Sequence, residues 1–291
     1  MRLRSMLFAP ANRGDFVAKL PRSGADSLVA DLEDAVPLAS KAGARAALPE
    51  IIAGVPARGA DQLLLVRVNA VTSPLFALDV AAAARCPIDG IVVPKLERAE
   101  HVDQIRTALA ARNVVDWVIV AGIETARGVH LAEEVLDAGV DGCYFGAEDF
   151  VTDMGGRRTA GNAEVLYARS RVALVARLAG VPALDQVVTD LQDADRFRAD
   201  AHEGRNIGYS GKLCVHPRQV ALVHECYAVS AEELAWAHRV LAAEALAATD
   251  GRGVFEVDGQ MIDEPLILRA RRLIAAAGSH SPEDVPATTH P

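Results

Sequence analysis

Aromatic residues are scarce in this sequence of 291 residues, where Phe, Trp and Tyr together make up 4%. Few aromatic side chains leave little surface on which nucleic-acid bases could stack, and a formal net charge of -9 opposes contact with a phosphate backbone. We therefore do not expect nucleic-acid binding to be the main task of the protein. The charge balance still leaves room for a local basic pocket that holds a phosphorylated ligand.

The sequence also lacks closely spaced cysteine pairs and long apolar runs. The four cysteines contain no pair with the C-x-x-C spacing of zinc or redox motifs. No apolar run reaches the length of a membrane span, and residues 1–5 lead into a short strand pattern rather than a long apolar stretch. We therefore expect a protein of the reducing cytoplasm that binds neither membrane nor nucleic acid.

Four apolar runs, at 27–34, 63–69, 117–124 and 142–149, each end on charged or polar residues. Buried parallel strands read as nearly continuous apolar runs. In a parallel β/α barrel, active-site groups sit at the carboxyl ends of such strands. Carboxylates and an arginine at these ends predict one shared polar site.

Strand-like runs alternate with alanine-rich helical patterns along most of the chain. Strands are predicted at 5–9, 27–32, 63–69, 90–94, 117–124, 142–146, 182–187 and 207–213, and helices at about 15–20, 39–53, 74–85, 98–111, 127–138, 162–178 and 190–203. This alternation predicts an α/β protein with a parallel sheet, and eight strands favour a closed (β/α)8 TIM barrel. The alternative, an open doubly wound sheet, normally has a glycine-rich turn after its first strand, which residues 9–14 lack.

Three segments make up the predicted domain organisation: a barrel at 1–217, C-terminal helices with a lid segment at 218–278, and a disordered tail at 279–291. Ser230 and Glu233 form a capping box at the start of an alanine-rich helix. A small hairpin at about 254–262 precedes the last helix.

Glu124 and Asp149 each follow an apolar strand run, where they could bind a metal ion. Magnesium usually takes one or two protein carboxylates and keeps places for water and substrate. The alternative is that each carboxylate caps the following helix. Spacing alone leaves both interpretations open.

Glu33 and Asp34 belong to a run with three acids in four residues, which is costly unless a cation lies nearby. Hydrogen bonds that orient metal-bound waters would explain them. Salt bridges to Lys41 or Arg45 are the alternative.

Arg67 ends an apolar run, and Asn69 lies two residues later on the same predicted face. We favour substrate binding for this pair, with a structural ion pair to a strand-end acid as the alternative for Arg67. Lys95 also follows a strand, and the acids around it favour a protonated amine over covalent catalysis. Asp263, just before Pro265, reads from the residues alone as a helix N-cap.

Taken together and in order, these motifs resemble the citrate lyase β-subunit (CitE-like) family of the HpcH/HpaI aldolase superfamily, over about residues 2–277. The resemblance is carried by RSMLFAP at 4–10, DLEDAV at 31–36 with Lys41 and Arg45, VRVN at 66–69, PK at 94–95, IETA at 123–126, GAEDF at 146–150, GK at 211–212 with HP at 216–217, and MIDEP at 261–265.

The resemblance implies specific site residues. Glu124 and Asp149 would bind Mg2+, with Mn2+ as an alternative, while Glu33 and Asp34 would order the waters of the metal. Substrate contacts would come from Arg67, Asn69 and Glu124. Asp263 would be a catalytic residue that reaches in from a neighbouring subunit on a C-terminal lid, which reverses its reading as a cap.

The resemblance also implies Arg4 and Lys19 near the phosphates of CoA or a carrier, whereas Gln260 stands where many relatives have lysine. The implied activity is metal-dependent cleavage of a citryl, malyl or citramalyl thioester, on CoA or an acyl carrier protein, by a homotrimer or hexamer. Alternatives are an aldolase that acts on free 2-keto-4-hydroxy acids, and a β-type subunit that is active only within a carrier-protein complex.

Overall fold

The structure, a computed structural model, describes residues 3–249 and 251–278. The chain divides into two compact units, the first ending at Tyr227 and the second beginning at Ala228. Among the described residues, no helix combines the length and apolar character needed to cross a membrane.

The first unit is a closed barrel of eight parallel strands that pair in sequence order, with β8 beside β1. The strands are β1 Ser5–Pro10, β2 Ser27–Asp31, β3 Leu63–Arg67, β4 Gly90–Val93, β5 Val118–Ile123, β6 Gly142–Phe145, β7 Ala183–Asp185 and β8 Gly211–Cys214. The predicted (β/α)8 barrel is confirmed. The regular alternation of apolar strands and helices allows the sheet to close on itself with its helices outside.

Ten helices belong to the described part of this unit. They are α1 Gly14–Val17, α2 Lys41–Ala53, α3 Phe76–Ala83, α4 Ala99–Ala110, α5 Ala126–His130, α6 Ala132–Asp137, α7 Ala147–Asp153, α8 Leu166–Ala179, α9 Ala194–Ile207 and α10 Pro217–Tyr227. We predicted the barrel domain to end at residue 217, whereas the first unit includes all of α10. The predicted start of the last strand at 207 was wrong, because α9 runs to Ile207 and ends at Gly208, whose φ is +119°.

Two apolar layers hold the barrel. Alternate strand residues point inward, and Val29, Val92, Val120, Tyr144 and Leu213 are among those that fill the barrel interior. The residues between them point outward and pack under the helices in a larger cluster. The barrel is therefore a packed core whose polar groups concentrate at its ends.

A fully buried ionic cluster lies outside the sheet, between the strands and helices α8 and α9. Arg169 donates to both carboxylate oxygens of Asp185 at 2.8 and 2.6 Å, and Lys212 lies 3.1 Å from the same carboxylate. Asp200 pairs with both cations. Arg169, Asp185 and Lys212 are wholly inaccessible to solvent, so each charge requires these partners. The Gly211–Lys212 motif is therefore structural.

The second unit contains α11 Ala231–Thr249, the hairpin β9 Phe255–Val257 with β10 Gln260–Ile262, and α12 Glu264–Gly278. The capping box is confirmed: the Glu233 amide donates to Ser230 Oγ at 3.0 Å, and the Ser230 amide donates to Glu233 Oε2 at 2.9 Å. Asp258 and Gly259, both at positive φ, turn the hairpin. The predicted disordered tail at 279–291 lies outside the described residues.

Candidate active site

A cavity of about 340 Å³ opens at the carboxyl end of the barrel strands. Its lining comes from strand ends and the loops that follow them: Phe8, Pro10, Asp31, Ala35, Arg67, Glu124, Tyr144, Gly146, Ala147, Glu148, Asp149, Val187, Leu213 and Val215. Three of the four apolar runs singled out in the sequence therefore contribute acids to the lining, and the fourth contributes Arg67. The prediction of one shared polar site at the strand ends agrees with this cavity.

Glu124 follows β5 and is 2% exposed. Burial, together with the nearby charges of Asp149 and Glu33, raises the pKa of Glu124 to about 8. Its Oε1 accepts a hydrogen bond from the Lys95 amide at 3.0 Å. The carboxylate fits because Gly146 beside it has no Cβ, which would overlap the Glu124 side chain.

The helix-capping alternative for these carboxylates is not what the structure shows. Thr125, not Glu124, caps α5, since its Oγ1 accepts from the Gly128 amide at 2.9 Å. Asp149 lies within the first turn of α7, whose N-cap is Gly146. Both carboxylates therefore remain available at the cavity.

Lys95 follows β4 in a left-handed conformation, with φ at +56°, that an L-residue adopts at some cost. Its Nζ lies 2.7 Å from Glu33 Oε1, 3.3 Å from Asp149 Oδ1 and 3.8 Å from Asp34 Oδ2. Burial alone would lower the pKa of Lys95, but the hydrogen bond to Glu33 and the charges of the acids raise it. Lys95 is therefore an ammonium cation, as predicted.

Arg67 closes β3 beside Asp31 at the end of β2, since the two residues are partners in the strand register. Its Nε and Nη2 donate to the Asp31 carboxylate at 2.8 and 2.6 Å, and its Nη1 lies 3.2 Å from Glu33 Oε2. The guanidinium also lies over the Phe8 ring, 4.9 Å from its centroid. The structural ion pair therefore exists, and it holds Arg67 at the cavity wall.

Asp31 is a site residue that the sequence reasoning missed. It is wholly buried and also accepts the amide of Glu33 at 2.8 Å and that of Ala35 at 3.2 Å. It thus fixes both Arg67 and the turn that carries Glu33. The sequence does place an acid at the end of β2 and an arginine at the end of β3. That these two residues lie side by side could be known only from the strand register.

Asn69 does not line the cavity, which departs from the predicted substrate contact. Its Oδ1 accepts from Lys41 Nζ at 2.8 Å, and its side-chain amide donates to Asp79 and to the Leu32 carbonyl. Strand β3 ends at Arg67, so the alternation that put both residues on one face stops before Asn69. Asn69 is therefore an internal brace.

The predicted alternative for Glu33 and Asp34, salt bridges to Lys41 or Arg45, was wrong. Lys41 Nζ donates to Asn69 and to two backbone carbonyls, and Arg45 pairs with Asp79 at 3.0 Å. The acids instead face Lys95.

Arg4 lies at the start of β1, at the opposite end of the barrel from the cavity. Asp26 holds its guanidinium with bonds of 2.9 and 2.8 Å. This position departs from the expected contact with CoA at the site. Lys19 follows α1, with its Nζ 5.7 Å from the centroid of the half-exposed Phe16 ring.

Asp263 belongs to the second unit, where its backbone carbonyl accepts the amides of Leu266 and Ile267 at the start of α12. Its side-chain carboxylate makes no hydrogen bond or ion pair with the residues that the structure describes. The side chain is therefore not the helix cap that the residues alone suggested.

The acids of the cavity fit a magnesium ion. Magnesium takes one or two protein carboxylates and keeps its waters. Within residues 3–249 and 251–278, no three Asp, Glu, His or Cys side chains converge as a ligand cluster. Glu33 Oε2 is buried 3.2 Å from Arg67 Nη1, and it accepts no well-aligned hydrogen bond from any described residue. The Lys95 ammonium already shows that a cation is stable between Glu33 and Asp149.

Barrel fold and acidic strand ends together define a (β/α)8 enzyme site of the metal-dependent type. The profile of the HpcH/HpaI aldolase/citrate lyase family matches residues 4–217, and that of the C–C bond lyases of the TIM-barrel fold matches residues 160–277. The chain belongs to the HpcH/HpaI aldolase/citrate lyase family.

Relatives of known name cover nearly the whole chain. A citrate lyase subunit beta-like protein from Deinococcus radiodurans is 49% identical to this chain, and the match covers 94% of this chain and 96% of the relative. Human mitochondrial citramalyl-CoA lyase is 29% identical, and the match covers 95% of this chain and 86% of the human protein. The crystal structure of CitE from Mycobacterium tuberculosis with magnesium, acetoacetate and coenzyme A is 33% identical with a TM-score of 0.81, covering 95% and 98%.

Proposed function

We propose that this protein is a magnesium-dependent lyase that cleaves the carbon–carbon bond of a citryl, malyl or citramalyl thioester. The products would be an acetyl thioester and a 2-keto acid. The observation that carries this proposal is the meeting of Glu124, Asp149 and Arg67 at one cavity. Support comes from the related CitE structure, which holds magnesium, acetoacetate and coenzyme A.

Glu124 and Asp149 would hold the ion, which supplies a Lewis acid for the hydroxyl and carboxylate oxygens of the substrate. Glu33 and Asp34 would accept hydrogen bonds from its waters. Gly146 keeps the Glu124 carboxylate in place by leaving room for it. The turn after β2 keeps Glu33 in place through the bond from its amide to Asp31.

Arg67 would bind the substrate carboxylate and stabilise the negative charge that develops on the cleaving fragment. Asp31 accepts from its Nε and Nη2, and Nη1 lies 3.2 Å from Glu33 Oε2, so a substrate carboxylate would take the N–H groups that these acids leave. Because the guanidinium is clamped before substrate arrives, little reorganisation is needed during the reaction.

Asp263 would donate a proton to the methylene carbon of the acetyl thioester fragment. The bond between the hydroxyl-bearing carbon and the methylene carbon would break, and its electron pair would go to the methylene carbon, which takes a proton from Asp263. The hydroxyl would release its proton to solvent water as the keto group forms, and Asp263 would regain a proton from solvent, so no net proton is gained or lost. Its carboxylate has no partner among the described residues, so it is available for this role. As part of the proposal, Asp263 comes from a neighbouring subunit of a homotrimer or hexamer, and Lys19 contacts a phosphate of CoA.

The experiment is release of acetyl-CoA from citryl-CoA, malyl-CoA and citramalyl-CoA by the purified protein with Mg2+. Turnover of at least one thioester, lost on chelation and in Glu124→Ala and Asp149→Ala, is the expected result. Asp263→Asn should lose turnover while it still binds Mn2+, read by electron paramagnetic resonance. Near wild-type rates in these variants would refute the mechanism.

A second reading is a β-type subunit that acts only on a carrier-bound thioester, which the name of the Deinococcus relative favours. Silence on all three CoA thioesters, with activity on a carrier-protein thioester, would select it. Activity on free 2-keto-4-hydroxy acids without any thioester would select the aldolase alternative instead.

A further inference from the structure

We propose that the floor of the cavity selects substrates with a small uncharged group, hydrogen or methyl, on the hydroxyl-bearing carbon, and that Tyr144 sets this limit. The inference rests on the proposed lyase function and narrows it. Malyl and citramalyl thioesters would be substrates, and citryl thioesters, whose extra arm ends in a second carboxylate, would be rejected.

The floor lies directly beneath the groups that would hold the substrate. The Arg67 guanidinium lies 4.9 Å from the centroid of the Phe8 ring. Tyr144, from β6, is 1% exposed, and the charges of Glu124 and Arg67 both act on its phenol. A substrate carbon held between Arg67 and Glu124 therefore points its remaining substituent at two aromatic rings.

The rest of this floor is apolar. Val187 and Leu213 line the cavity with Phe8 and Tyr144 and pack with them in the barrel interior. An ethyl, methyl or hydrogen substituent can be desolvated here at little cost. A carboxylate cannot, because burial of an ion without a partner is strongly unfavourable.

Cations for a second carboxylate are lacking among the lining residues that the structure describes. Arg67 is the one cation of the lining, against four carboxylates: Asp31, Glu124, Glu148 and Asp149. Two of its donors are already bound to Asp31. A substrate with two carboxylates on this side would leave one of them facing acids and apolar side chains.

Two further cations, which contact acids of the lining, are also occupied. Lys95 contacts Glu33, Asp34 and Asp149. Arg158 is held at 2.9 Å by Glu148, and it also pairs with Glu164. Freeing either for a substrate arm would leave one of these acids without its partner.

Tyr144 cannot withdraw to enlarge the floor. A Cβ on Gly122 of the neighbouring strand would overlap the Tyr144 hydroxyl, so the ring is fitted tightly against that backbone. The hydroxyl is buried, and the neighbouring Glu124 carboxylate acts on it.

The experiment compares four thioesters that differ only in the substituent: malyl-CoA with hydrogen, citramalyl-CoA with methyl, the ethyl analogue, and citryl-CoA with carboxymethyl. We expect kcat/KM for the best neutral substrate to exceed that for citryl-CoA by about 100-fold or more. The ethyl analogue, close in length to citryl-CoA but uncharged, should exceed it by at least about tenfold. A citryl-CoA value within tenfold of the best neutral substrate would overturn the inference and leave the lyase function intact.

Tyr144 is tested by two variants. Tyr144→Leu shortens the side chain and should raise the ethyl-to-methyl ratio of kcat/KM about tenfold, the range expected for one methylene. Tyr144→Phe keeps the ring and should leave this ratio within about threefold of wild type. An unchanged ratio in a folded Tyr144→Leu variant would overturn the role of Tyr144.

Binding of the keto acids separates failure of the inference from failure of the function. Calorimetry with Mg2+ should show pyruvate and 2-oxobutyrate binding at least about tenfold more tightly than oxaloacetate. This result, with neither CoA thioesters nor carrier-protein thioesters turned over, would uphold the selective floor and reject the lyase function. Tighter binding of oxaloacetate would reject the floor.

Discussion

Glu124 should destabilise the metal-free protein, and replacing it should show by how much. A carboxyl group with a raised folded-state pKa costs nothing below its unfolded pKa and costs most above its folded pKa. The pKa of Glu124 rises from the usual 4.5 to about 8. That rise corresponds to about 5 kcal/mol of folding free energy above pH 8. Because Asp149 and Lys95 can adjust around the buried charge, we expect about 3–5 kcal/mol.

The assay is thermal denaturation of metal-free protein between about pH 5 and pH 9. Wild type should lose stability as the pH rises through this window, while Glu124→Gln, which carries no charge, should be flatter. At about pH 8 the midpoint of the variant should be higher by roughly 6–20 °C. Saturating Mg2+ should remove the loss in wild type, because the ion favours the ionised carboxylate, and should have little effect on the variant.

The matched control is Glu148→Gln, since Glu148 lines the same cavity but has a side chain 48% exposed and paired with Arg158. This control should retain the steep pH dependence of wild type. If metal-free wild type and metal-free Glu124→Gln show the same pH dependence of stability, the reasoning is refuted, because burial and neighbouring acids would then not make the ionised Glu124 carboxylate destabilising.

Three further changes test other parts of the structure. Arg67→Lys removes the two parallel hydrogen bonds to the Asp31 carboxylate, and it should lower kcat/KM for thioester cleavage by about 100-fold or more without changing Mn2+ affinity. A loss of kcat/KM below about fivefold would contradict the role of this paired contact. Asp31→Asn should loosen Arg67 and lower kcat/KM by roughly 10–100-fold, and wild-type kinetics would show that Arg67 needs no anchor. Arg169→Met leaves the buried Asp185 short of its main partner and should cost about 3–5 kcal/mol in chemical denaturation without changing Mn2+ affinity; an unchanged midpoint would contradict this.

Much of the barrel could be predicted from sequence because strands that are buried on both faces appear as apolar runs. Where a local pattern was ambiguous, the predicted bounds or type of the element were wrong. Ile207 and Tyr209 suggested a strand, but Ile207 ends α9 and Tyr209 lies under α8, where its hydroxyl donates to the Arg169 carbonyl. Helix α7 was not predicted at all, since its seven residues, Ala147–Asp153, are too short to show a helical period.

The candidate site also contains residues that could be predicted from sequence and residues that could not. Acids at strand ends were visible because a charge that ends an apolar run is unusual. Asp31 was hidden because its meaning depends on its register partner Arg67. Tyr144 read as an ordinary core aromatic, and only the packing against Gly122 and the neighbouring Glu124 gives it a place in the site.

Lys95 connects the stability of the site with its chemistry. Glu33 and Asp34 from the turn after β2 and Asp149 from the first turn of α7 surround its ammonium, so the metal-free site is already partly neutralised. Yet burial, together with the charges of Asp149 and Glu33, still raises the pKa of Glu124 to about 8, so one ammonium does not offset these effects. A divalent ion held by Glu124 and Asp149 would supply the missing positive charge, and Lys95 would then keep Glu33 ionised beside it. The burial and negative charge that weaken the metal-free site are thus the same features that would give it affinity for a metal.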